Sequence, residues 1–257
     1  MYRIEFDSSV SLLARERAKT MAGAFHAAES SLGVVPTSLM VTQDVRALRA
    51  QIMGEPLDRQ HLNGLSVGQS FEKDGCFYVI LSSALFDDGA MYPALHVYNH
   101  ELSHRLYDEL DSKKMSGNLQ FLNMLLVNEF VTEQCALKAS FDLIDYDVLF
   151  PEKYERIYCS SMGDEYGLPC NPFTNALLCG ATNRDRILNI VGVVREQVCA
   201  VAYSYVTNRV NRQKDWIPPR LREYFDEINK KNPRTLGEAK ELSVYLQTYF
   251  VSAGLPI

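Results

Sequence analysis

Apolar residues recur with a helical period over most of the chain and with a two-residue period in only a few short stretches. Asp7 to Ser31 reads as a first helix, with Asp7 or Ser8 as its cap and Gly33 as its stop. Pro36 leads into a short strand, Ser38 to Thr42, and Asp44 to Met53 reads as a short helix that stops at Gly54. Glu55 to Gln69 holds Pro56, Gly64 and Gly68 without a clear period and reads as a loop. Ser70 to Glu72 and Cys76 to Ser82 flank Lys73-Asp74-Gly75, and the Asp-Gly pair is a strong hairpin signal. Helices are predicted over Tyr92 to Asp111 and Asn118 to Phe141, joined by the polar connector Ser112 to Gly117. Phe141 to Gly180 is irregular, punctuated by Pro151, Gly163, Gly167, Pro169 and Pro172. A long helix is predicted over Thr182 to Val210, and two more over Arg220 to Lys231 and Thr235 to Ser252.

These elements predict an α+β, mostly helical fold. A core over residues 1–140 carries a small β-sheet next to the Tyr92 helix, and a helical half over 141–257 follows it and completes the cleft. Hydrophobic residues make up 47% and charged residues 23% of the 257, enough apolar surface for a packed interior. The net charge of −6 argues against nucleic acid or an anionic membrane as partner. Met1-Tyr-Arg-Ile-Glu-Phe-Asp lacks the apolar run of a secretory signal, and the longest apolar run, about Cys76 to Phe86, is too short to span a bilayer. A cytoplasmic setting is therefore expected. The six cysteines form no Cys-x-x-Cys pair, so a thiolate zinc site is not indicated. Cys135 and Cys199 lie in helical patterns and read as buried thiols; Cys159, Cys170 and Cys179 fall in or near a loop and could pair, which a reducing cytosol disfavours.

The chemistry concentrates in the Tyr92 helix, which contains His100-Glu101-Leu102-Ser103-His104. On a helix, positions four apart share a face, so both imidazoles can reach one ion, with Glu101 one residue round from His100. Leu95, Leu102, Leu106 and Leu110 form an apolar back to this His/Glu front. The H-E-x-x-H pattern alone is short enough to arise by chance, so its surroundings carry the weight. On the next helix Glu129 and Glu133 stand one turn apart among Leu122, Leu125, Leu126, Phe130 and Leu137. Ionised carboxylates there are costly unless partnered, and a metal for one and an imidazole N–H for the other would resolve that cost. The alternative is that this face is wet. His96, one turn before His100, reads as a helix-start residue without a catalytic role or as a contact at the cleft; His26 reads as an ordinary half-buried histidine.

With Asn128-Glu129-Phe130-Val131-Thr132-Glu133 on the second helix, the chain resembles the gluzincin, or thermolysin-like, metallopeptidases. Those pair H-E-x-x-H with N-E-x-x-S-D; here Thr132 stands for the Ser and Glu133 for the Asp. The resemblance covers the two helices and the strand before them. It implies a zincin-like core, Zn2+ as cofactor, His100, His104 and Glu129 as ligands, and Glu101 as catalytic base. Glu133 would then accept a hydrogen bond from a ligand histidine; the rival assignment makes Glu133 the ligand with Glu129 behind it. No histidine follows His104, so the later histidine of the family is missing, and Tyr154, Tyr158, Tyr166, Tyr203 or Tyr205 could replace it.

The implied activity is that of a zinc metalloendopeptidase acting on a peptide or protein substrate. The strand Cys76 to Ser82, with one edge open beside the metal, could pair with an extended peptide. Two other classes compete: a catalytically inactive zincin-fold binding or regulatory protein, and a scaffold that holds no metal. Metal content and the effect of Glu101→Gln on turnover separate the three.

Overall fold

In the computed structural model the described residues are 4–56, 67–87, 92–110, 115–145, 198–199, 201–206 and 219–252. They form a mostly helical protein with a small mixed sheet. The chain groups into two compact units, Met1–Leu106 with Cys135–Pro151, and Tyr107–Gln134 with Glu152–Ile257. No helix among the described residues is long and apolar enough to cross a membrane.

In the first unit, strands β1 (Ile4–Phe6), β2 (Ser38–Thr42), β3 (Gly68–Lys73) and β4 (Cys76–Ser82) form one sheet in the order β1-β2-β4-β3. β1, β2 and β4 run parallel, and β3 closes antiparallel on β4 with Lys73 opposite Cys76. The turn between them is the two-residue loop Asp74-Gly75, both at positive φ (53° and 76°), the conformation that Asp-Gly supplies. β4 therefore lies inside the sheet. The edge expected of β4 belongs to β3, because the hairpin itself covers that side.

Strand alternation divides two apolar layers. Leu39, Val41, Phe77, Val79 and Leu81 face helices α1 (Leu12–Thr20), α2 (Ala22–Leu32) and α5 (Tyr92–Leu106). Ile80, with Met40 and Phe71, faces α3 (Val45–Met53) through Val45 and Leu48. A four-residue helix, α4 (Ala84–Asp87), joins β4 to the segment before α5.

The predicted first helix is two helices. Ser11, not Asp7 or Ser8, caps α1, its hydroxyl accepting from Ala14 N–H at 3.1 Å. Asp7 is engaged in a local turn, accepting from Ser9 N–H at 2.8 Å, and this bond holds its carboxyl below the usual range. Thr20 then donates to the Arg17 carbonyl at 2.7 Å, a side-chain bond that competes with the helix ladder, and the axis breaks at Met21. α2 ends as expected at Gly33.

In the second unit the helices are α6 (Asn118–Leu143, shared with the first unit), α7 (Pro219–Lys231), α8 (Leu236–Glu241) and α9 (Ser243–Ser252). α7 buries Leu221, Tyr224, Phe225 and Ile228, and the Phe130 ring of α6 lies 5.3 Å from Phe225, tilted by 30°. Tyr224 Oη donates to Asn123 Oδ1 at 3.0 Å, and Asn123 Nδ2 donates to the Ala239 carbonyl at 2.8 Å. The predicted helix over Thr235 to Ser252 is broken at Leu242, where the amide turns back to Ala239 and Ser243 Oγ takes the Lys240 carbonyl. Of the helix predicted over Thr182 to Val210, residues 198–199 and 201–206 are described and are helical.

Candidate metal centre

α5 begins at Tyr92 as expected but ends at Leu106; Asp108–Leu110 is a separate 3-10 turn that carries Leu110. Leu95 and Leu102 are fully buried in the core of the first unit, and Leu106 packs at its margin. Tyr98, on the same apolar back, sits 4.7 Å from the Phe25 ring and donates through Oη to Glu29 Oε1 at 2.5 Å. Both members of that hydrogen bond are buried, so it fixes the rotation of α5 about its axis. His96, His100 and His104 then share the opposite stripe.

α6 runs antiparallel to α5. At one end Asn99 Nδ2 donates to Ser140 Oγ at 2.9 Å, and Ser140 Oγ lies 3.5 Å from His96 Nδ1. At the other, Asn128 Nδ2 donates to the Tyr107 carbonyl at 3.2 Å. α6 is one unbroken helix, so Glu129 and Glu133 stand one turn apart on it. His96 belongs to neither group of converging ligand atoms.

Among the described residues, two groups of potential ligand atoms converge, each with all its atoms within 4.8 Å of one another: His100, His104 and Glu129, and His100, Glu133 and Cys199. Nε2 of His100 and Nε2 of His104 are 3.1 Å apart, with the rings edge to face. Two nitrogens bound to one tetrahedral zinc stand about 3.3 Å apart, given bonds of about 2.0–2.1 Å. The donor set thus fits a borderline cation that takes nitrogen and oxygen together. Glu129 is 6% and Glu133 1% exposed, so the face that carries them is dry.

Glu101 lies on the flank of α5 that meets β3. It is 5% exposed, and Ser70 Oγ donates to its Oε2 at 2.9 Å. Arg105, one turn on, pairs with Glu72 of β3. Neither Ser70 nor Cys199 was marked as a site residue by sequence. Ser70 is 31 positions from Glu101 and Cys199 stood in no ligand-spaced pattern, so only pattern-free proximity reveals them.

Other expectations resolve as follows. His26 is exposed, not half-buried, with Nδ1 3.4 Å from Glu29 Oε2. Cys135 and Cys199 are only partly buried thiols. Tyr203 is fully buried, and Tyr205 Oη donates to Asp226 Oδ1 at 2.5 Å; burial, then that carboxylate, pushes the phenol far above its ordinary value. Tyr154, Tyr158 and Tyr166, and Cys159, Cys170 and Cys179, lie outside the described residues.

Compared with models of protein families, with curated proteins and with solved structures, the chain matches none.

Proposed function

We propose that this chain is a zinc-dependent endopeptidase of the gluzincin type, with His100, His104 and Glu129 as zinc ligands and Glu101 as general base. The observation that carries the reading is the meeting of two imidazole nitrogens and one buried carboxylate within 4.8 Å on two antiparallel helices. Three protein ligands leave a coordination position for water, as in catalytic sites. Zinc bound there supplies a Lewis acid and an acidified water. With zinc held there, Glu101 would act as general base, accepting a proton from water and passing it to the leaving amine. Glu133, beside His100, accepts an imidazole N–H and holds the ligand tautomer.

The sheet supports the same reading. Its edge strand β3 lies along α5 beside Glu101, and an extended peptide adding to that edge would pass the base. An open strand edge beside the H-E-x-x-H helix is the arrangement that the resemblance to zincin folds implies. The substrate class of this reading is a peptide or protein segment; the net charge of −6 argues against nucleic acid and anionic membrane.

The test combines metal analysis with cleavage profiling. One zinc per chain is expected, lost in His100→Ala and His104→Ala. Glu101→Gln should keep zinc and fold and abolish cleavage across a proteome-derived peptide mixture. A Glu101→Gln protein that cleaves at the wild-type rate refutes the assigned base, and a zinc-loaded wild type without turnover favours a zincin-fold binding protein.

A further inference from the structure

β3 is matched to α5 in spacing. Gly68 lies against Val97 and Glu101, Ser70 bonds Glu101, and Glu72 pairs with Arg105. Two residues of strand advance about 6.6–6.8 Å and four residues of helix about 6.0 Å, so positions 68, 70 and 72 keep step with 97, 101 and 105. All three strand positions face the same side of the sheet, which is the side α5 occupies.

At Gly68 the two elements approach so closely that no side chain fits. A Cβ there would lie 2.6 Å from Val97 Cγ1, 3.0 Å from Glu101 Oε1 and 3.1 Å from Glu101 Cγ. The two carboxylate oxygens are thus treated differently by the strand. Oε2 is held by the Ser70 hydroxyl, and Oε1 occupies the space that the missing side chain at Gly68 leaves. A carboxylate with one oxygen held cannot rotate about its terminal bond without breaking that hydrogen bond. Its other oxygen then presents a fixed lone pair.

We infer that Gly68 and Ser70 are positioning residues for Glu101: Ser70 fixes the carboxylate through Oε2, and the bare backbone at Gly68 leaves Oε1 in place to carry the proton. The inference rests on the peptidase reading above and adds to it the device that orients the base. Neither residue touches substrate in this account; both act through Glu101.

The experiment has a catalytic and a metal-free arm. In the first, zinc content and steady-state peptide hydrolysis are measured for wild type, Ser70→Ala, Ser70→Thr and the double variant Gly68→Ala/Val97→Ala. The Val97 truncation removes the 2.6 Å clash and leaves the contacts on Glu101 Oε1 and Cγ, and the unfolding midpoint of the zinc-free double variant checks that it folds. Ser70→Ala is expected to lower kcat about tenfold, the rate equivalent of one hydrogen bond to an ionised group, with KM and zinc content unchanged. Ser70→Thr, which keeps the hydroxyl, should restore most of it, and Gly68→Ala/Val97→Ala should lose at least as much as Ser70→Ala. In the second arm, unfolding midpoints of the zinc-free proteins are compared in a Ser70→Ala, Glu101→Ala cycle. Ser70→Ala should shift the midpoint in the wild-type background and leave it unmoved in Glu101→Ala. Turnover that Glu101→Gln abolishes and Ser70→Ala leaves intact overturns this inference alone, as does an additive metal-free cycle. A zinc-loaded wild type with no turnover overturns the peptidase reading and this inference with it.

Discussion

Replacing Glu129 and Glu133 separately by glutamine tests the ligand assignment most directly. Both carboxylates are buried and stand one turn apart on α6, but only Glu129 shares a cluster with both histidines. Glu129→Gln removes a ligand, and zinc affinity should fall by more than about 100-fold. Glu133→Gln removes a group that orients His100, a change that costs about 10–100-fold. At zinc 100 times the wild-type dissociation constant, binding stabilises wild type by about 2.7 kcal/mol, a tenfold weaker variant by about 1.4 and a 100-fold weaker one by about 0.4. The assay is competition with a chromophoric chelator, backed by unfolding midpoints with and without zinc. Without zinc the difference between the two variants should vanish, because each removes one of the two carboxylates held one turn apart in a dry environment. If Glu133→Gln proves the more damaging, and Cys199→Ser loses zinc as well, the ion belongs to the His100, Glu133 and Cys199 group. If both glutamine variants bind like wild type, the metal argument is wrong.

Tyr98→Phe deletes the hydroxyl that donates to the buried Glu29 carboxylate. It should destabilise the zinc-free protein by about 2 kcal/mol, or roughly 4–8 °C in a calorimetric midpoint, without changing zinc stoichiometry; an unchanged midpoint would show that this bond does not anchor α5. Glu238 accepts from the Arg234 and Thr235 amides at the start of α8, which holds its carboxyl below the ordinary glutamate value. Its folded value is depressed, so its contribution is present above the unfolded value and is lost as pH falls through the folded one. Glu238→Gln should therefore flatten the acid limb of the stability profile in that window, read by denaturant titration from pH 5 downward.

Much of the local architecture was legible because local chemistry decides it. Asp74-Gly75 specifies a two-residue hairpin through positive φ at both positions, Gly33 and Gly54 terminate helices in the left-handed region, and Asn118 opens α6. What the amino-acid order could not show were interruptions of one residue: the breaks at Met21 and Leu242 come from side-chain hydroxyls taking ladder carbonyls, which apolar periodicity ignores. β1 escaped notice because three residues carry too little pattern.

The same division runs through the candidate site. A helical repeat alone puts His100 and His104 on one stripe and Glu129 and Glu133 on another, since those separations are one turn of a rigid helix. Which stripe meets which, and at what level, depends on contacts between residues far apart in the chain. Tyr98 on Glu29 sets the rotation of α5, and Asn99 on Ser140 sets its register against α6. The placement of β3, and with it of Gly68 and Ser70 against Glu101, follows from antiparallel closure on β4 and from an approach that leaves no room for a Cβ beside the Val97 side chain. Sequence determines what each helix offers on its surface; only packing, which joins residues without regard to their spacing, decides what those surfaces are offered to.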